Sequence, residues 1–336
     1  MGRPKVLPIR DNRQRALDYW IRFRQSEKVI QPNTSFVSKV VAELMADDSH
    51  DEIRAITGAA IVAGYRLTLA VDRISAGHAS GWRDAMEAIA IGYLGSELMK
   101  HRRERTLGWY CRRSAGPDDF FYVAFHGVLA GLRLWPQADC LCQHLMNLWL
   151  GRGIDEGLID QDDYLSFYWF VLRAQFKGEW PGIEEFDAGE LGEFYPLFAT
   201  VHQPEAFRDA LVEYCDFRLA RMHEYSSQHA KRRNDSLLSD ALTYGPLLLL
   251  PAELLAFKAI YERVTEKPCD LHAEHPLLNL ASLNPPAGLS LPENELTARL
   301  QATGRAIFGS AWQPGQLVEV RFDNPPVLPE EVPQQT

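Results

Sequence analysis

The sequence predicts a mainly α fold: a multi-helix globular bundle with a small irregular or β-containing C-terminal portion. Three observations carry this. Apolar residues recur at steps of three and four along most of the chain, which places them on single helical faces. Glycine and proline stand at the breaks between those stretches. From residue 268 onward, proline becomes frequent and the periodicity fades; the best strand candidate, LVEVRF at 317–322, lies there. A chain of 336 residues, 46% hydrophobic and 24% charged, is long enough to bury a large core as one domain or two.

Residues 11–30, DNRQRALDYWIRFRQSEKVI, open on Asp and Asn caps and carry apolar residues at helical spacing. Pro32 is expected to end that helix, and a shorter one follows over 34–46. The clearest stripe is Ile53, Ile56, Ala60, Gly64, Leu67, Val71 and Ile74. Ala59, Ala63 and Gly64 thin this helix and permit a close neighbour. GHASG breaks it, and Trp82, Met86, Ile89 and Tyr93 mark the next helix. Breaks at Gly116-Pro117 and Trp135-Pro136 bound a buried helix, in which Gly127 and Gly131 are spaced for tight packing, and an amphipathic one after it. Another is expected at about 161–177, with Asp162 and Asp163 at its positive end.

The segment 178–203 is acidic and rich in Gly and Pro, and reads as a connector. It separates an N-terminal helical region, 1–177, from a C-terminal one, 204–267. The latter contains one helix from Pro204 and a second striped by Leu250, Leu254, Phe257, Tyr261 and Val264. Residues 268–336 read as an irregular, proline-rich tail.

Five dispersed cysteines suit free thiols in a reducing compartment. No stretch of signal-peptide type opens the chain and no run of eighteen apolar residues occurs, so a cytoplasmic protein with no membrane partner is expected. The net charge of −10 is unevenly spread: residues 151–220 hold 5 basic and 15 acidic side chains, a local balance of −10. Such a surface repels nucleic acid and attracts a basic protein.

No catalytic residue, metal site or cofactor is assigned. The chain lacks a nucleophile elbow, a phosphate-binding loop, a dinucleotide fingerprint and a His-Glu-x-x-His zinc motif. His126 and His144 lie among apolar residues and read as core histidines. His272 and His275 read as loop residues with local hydrogen bonds. The cluster HRRERTLGWYCRR, with Trp109 and Tyr110 among its arginines, is expected to dock on the acidic region or face solvent.

Asp47, Asp48 and Asp51 resemble the aspartate-rich metal motif of class I terpene synthases, which implies a Mg²⁺-dependent enzyme as an alternative. The partner motif is out of register, since Ser239 in NDSLLSDAL falls one place late, about 100° round a helix. The competing expectation is a helix start: Asp47, Asp48 or Ser49 caps the long helix, with Asp51 and Glu52 in its first turn.

A second resemblance rests on YGPLLLLPAELLAFKAIYERVTEKP with the following HPLLNL. Its matching residues are Tyr244, Gly245, Pro246, Pro251, Glu253, Leu254, Ala256 and Tyr261. RDNRQRALDYWIRF, with Tyr19 and Trp20, adds to it. Together these look like the larger helical immunity proteins of bacterial polymorphic-toxin and type VI secretion effector pairs. That resemblance implies a non-enzymatic cytoplasmic inhibitor whose partner is a cognate toxin, a basic nuclease domain being the class that fits the charge. It leaves homodimerisation open, and a helical scaffold or adaptor is the remaining alternative. The residues expected to meet the toxin are Asp155, Glu156, Asp162, Asp163, Glu184, Glu185 and Asp187, with Tyr164, Phe167 and Trp180 as aromatic anchors.

Overall fold

The computed structural model describes residues 12–24, 27–46, 51–106, 117–150, 163–185, 188–229 and 249–316. Every regular element among them is a helix. In chain order they are α1 (Arg13–Arg24), α2 (Glu27–Ala46), α3 (Glu52–Ser75), α4 (Ser80–Thr106), α5 (Pro117–Gly131) and α6 (Trp135–Leu150). There follow α7 (Asp163–Lys177), α8 (Tyr195–Thr200), α9 (Pro204–His229), α10 (Ala252–Thr265) and α11 (Glu295–Phe308). Short helical turns occupy 183–185, 188–194, 276–279 and 281–283.

Helix α3 starts where Asp51, in extended backbone, accepts a hydrogen bond from the Arg54 N–H at 3.1 Å. This satisfies one of the donors a helix start leaves free. The cap is therefore Asp51 itself, not Asp47, Asp48 or Ser49, and only Glu52 sits in the first turn as expected. At the other end Gly77 takes φ +81°, a backbone that L side chains resist. The buried face is rotated from the expected stripe: Ile53 is 56% exposed, while Ala59, Val62, Ala63 and Ala70 are buried. The reason is the fit with α4. A Cβ on Gly95 would lie 2.9 Å from that of Ala59, and one on Gly92 3.2 Å from that of Ala63. Small residues on both helices bring the backbones together, and that contact outweighs burying one isoleucine. By length and composition α3 is apolar enough to cross a membrane, but it packs here between α2 and α4.

Helix α2 runs through Pro32, which the sequence reading places at a helix end. Proline has no N–H, so this helix forgoes one backbone hydrogen bond near its start. Burial of Val37 and Leu44 against α3 holds the later turns, and Leu44 packs on Gly58. Between α5 and α10, Gly131 lets Leu255 approach so closely that an added Cβ would lie 2.5 Å from the leucine Cβ. Gly127 does the same for Tyr168 of α7.

Two apolar cores result among the described residues. The main one gathers side chains from α1 and from α3 through α10, and continues to Leu283. It crosses the expected division of the chain: α1 packs on α9, and α5 packs on α10. The segment 178–203 is more than a connector, because Leu191, Phe194, Leu197 and Phe198 enter this core. A satellite core joins α2, α3, α4 and α11 with Trp312. Helix α11 lies inside the region expected to be irregular. A capping box starts it: Asn294 accepts from the Thr297 N–H at 2.9 Å, and the Thr297 hydroxyl accepts from the Asn294 N–H at 2.8 Å. The strand candidate at 317–322 is outside the described residues.

Candidate functional site

The acidic residues singled out by sequence fall into three groups. Asp155, Glu156, Asp162 and Asp187 lie outside the described residues. Asp163 and Tyr164 form the first turn of α7. Glu184 and Glu185 are exposed in the turn after α7. Glu185 is engaged locally: the Gly182 N–H donates to it at 3.1 Å and Arg173 at 2.5 Å. Those contacts, the backbone bond first, hold its carboxyl below the ordinary range.

Two of the aromatic anchors are not surface anchors. Phe167 is fully buried, 4.5 Å from Phe194 and 5.2 Å from Tyr168 between ring centroids. Trp180 is half-buried, stacked on Phe198 at 5.6 Å and edge-on to Phe257 and Tyr261. Both rings fill the junction of α7, α8 and α10, because an inward aromatic buries more area there than it would on a rim. Among the described residues of this region the exposed aromatic is Phe176, on the last turn of α7.

The stronger acidic feature lies on α9. Glu205, Asp209 and Glu213 recur every four residues and all three are exposed. Phe207, Ala210, Leu211 and Tyr214 face the core, so the carboxylates occupy the opposite side of the helix. None of the three is in an ion pair among the described residues. Exposed Glu193 extends the feature, since its chain neighbour Phe194 packs on Tyr214 at 5.0 Å.

Beneath this surface α9 is fixed by buried charge. Arg218 and Glu253 form an ion pair at 1% and 0% exposure, and Tyr214 donates to the same Glu253 oxygen at 2.8 Å. A pair so deep is strongly destabilising only when one member is removed, because the other charge stays buried. One turn away Arg13 of α1 donates twice to Asp216 at 2.6 Å. The buried His275 ring accepts at Nδ1 from the Leu277 N–H (3.1 Å), which leaves Nε2–H to donate to Asp216 (3.3 Å). Burial works to raise the Asp216 carboxyl, but Arg13 brings it below the usual range.

A third polar cluster joins α4 and α6. Lys100 Nζ lies 2.9 Å from Glu97 and 3.2 Å from the Cys140 sulfur, with all three side chains buried. Burial acts to lower the Lys100 pKa, yet Glu97 and Cys140 together outweigh it and the net direction is upward. Burial and then Glu97 push the Cys140 thiol up to about 11. The signal for these clusters is a charged residue at an inward position of an apolar stripe: Arg218 between Cys215 and Met222, Lys100 in line with Ile89 and Tyr93.

The remaining motifs resolve simply. His126 is a core histidine bonded to Gln175 Oε1 at 2.8 Å, and exposed His272 pairs with Asp270. Arg102 lies 4.0 Å from Glu52 of α3. Residues 107–116, Asp47, Asp48 and the second terpene-synthase-like patch are outside the described residues. Among the described residues no group of His, Cys, Asp and Glu is placed to hold a metal ion. Compared with known protein families, curated proteins and solved structures, the chain matches none of them.

Proposed function

We propose that the protein is an immunity protein that binds and neutralises a cognate basic toxin through the acidic face of α9. The observation that carries this reading is the exposed row Glu205, Asp209 and Glu213, whose carboxylates have no ion-pair partner among the described residues. Charges that stabilise a fold are normally paired or capped, as Asp216, Glu253 and Asp51 are here. A row left unpaired on a rigid helix is available for a positive partner, and a nuclease presents positive charge because its substrate is a polyanion. Exposed Glu193, whose chain neighbour Phe194 packs on Tyr214 of α9, adds a fourth carboxylate near this row.

The test is charge reversal. The triple variant Glu205→Lys, Asp209→Lys, Glu213→Lys should retain the helical far-UV spectrum while losing most of its protection of toxin-expressing cells. Association with the toxin captured from native cells should slow by about tenfold or more, and lose its salt dependence. Wild-type protection and affinity in a folded triple variant would remove this reading.

A further inference from the structure

Residues 309–316, which follow α11, are held down by side chains rather than by secondary structure. Gly309, at φ +105°, and Gly315, at φ +83°, lie near its two ends. Trp312 is buried against Gly304 of α11, at a spot that any Cβ would fill, and meets His101 of α4 edge-on at 5.8 Å. Beyond Trp312 the main chain is bound by the polar cluster of α4 and α6. The Gly315 N–H donates to Glu97 at 2.9 Å, Lys100 donates to the Gln316 carbonyl at 2.9 Å, and the Cys140 thiol lies 3.5 Å from that carbonyl. Gln313, Gly315 and Gln316 are themselves exposed, while Cys140 beneath them is 2% exposed. Cys142, Cys215 and Cys269 belong to the main apolar core, and Cys140 does not.

We propose that residues 309–316 form a strap that lifts as a unit without unfolding the helical body, and that Cys140 is a thiol reactive toward disulfides while the strap is lifted. Among the described residues the closed strap is fastened by one apolar side chain and a few hydrogen bonds, the kind of segment that opens at lower free energy than packed helices. Lifting it removes the Gln316 carbonyl and admits solvent to the sulfur. Solvent then removes the burial that holds the thiol protonated, and the Lys100 ammonium, 3.2 Å away, offsets the Glu97 carboxylate, 3.4 Å away, at the thiolate. That thiolate attacks one sulfur of an added disulfide; a mixed disulfide forms, and the other half leaves as a thiolate.

The experiment treats the full chain with an excess of an aromatic disulfide under native conditions and follows each cysteine by mass spectrometry of its own peptide. Cys140 should react at least about tenfold faster than Cys142, two residues away. Gly315→Ala strains the strap alone, because alanine resists that backbone and its Cβ would meet the Tyr93 hydroxyl at 3.1 Å. It should raise the Cys140 rate by about tenfold and leave Cys142, Cys215 and Cys269 unchanged. Trp312→Ala should act in the same direction. Equal rates for Cys140 and Cys142 in the wild-type protein would overturn the proposal without recourse to any variant. So would a fast Cys140 that ignores both substitutions.

Discussion

At His126 burial and hydrogen bonding act against each other. Burial lowers its pKa and the Gln175 contact raises it; burial wins, and the ring is pushed down to about 4. His275 and His101 are also lowered to about 4, burial being the first cause in each. The folded chain therefore keeps these rings neutral between about pH 4 and the ordinary value of 6.5, whereas the unfolded chain protonates them. Stability then rises with pH across that window and falls on acidification, until near pH 4 the native rings also take protons. Fully buried His126 alone accounts for on the order of 3 kcal/mol between those limits. Urea unfolding from pH 7 to 4.5 should show the loss, and His126→Gln should flatten it. The Asp216 carboxyl adds a loss at lower pH, since its pKa is depressed and its contribution persists until pH falls through the folded value. His126 was legible in sequence as a core histidine because its neighbours are apolar. The partners of Arg218 and Lys100 were not, because Glu253 and Cys140 lie far along the chain.

At the scale of elements, spacing located most helices and side-chain size decided how they meet. The breaks at Gly116-Pro117 and Trp135-Pro136 coincide with the starts of α5 and α6. Gly131 then does at the α5–α10 contact what no larger residue can. Gly131→Ala should improve the intrinsic propensity of α5, yet drive a methyl into Leu255 and the backbone of α10. Overpacking costs about 1–3 kcal/mol, more than the roughly 1 kcal/mol gained from propensity, so the thermal midpoint should fall. A variant as stable as wild type would mean that α5 and α10 slide apart freely. Two element-level expectations failed for local reasons. Pro32 disfavours an isolated helix, but the packing of α2 on α3 overrides it. Helix α11 follows a proline-rich stretch, and its start is specified only by Asn294 and Thr297, whose spacing is a helix-start signal.

For the whole molecule, the main core is shared by helices on both sides of residues 178–203, so neither half has a complete interior of its own. Equilibrium denaturation followed by near-UV and far-UV circular dichroism should give coincident transitions; two separated transitions would mean that the halves unfold independently. The acidic bias of 151–220 was visible by counting, but its division was not. Counting treats Asp209 and Asp216 alike, whereas the fold turns one to solvent and ties the other to Arg13 and His275. The sequence by itself determined the helical class, the position of most helices and the excess of negative charge, because periodicity, helix breakers and net charge are local or additive. Only the tertiary structure decided which carboxylates are free, which aromatics are core, and that Glu97, Lys100 and Cys140 clasp the chain after α11. Those outcomes depend on contacts between residues far apart in the chain, and no local pattern specifies such contacts.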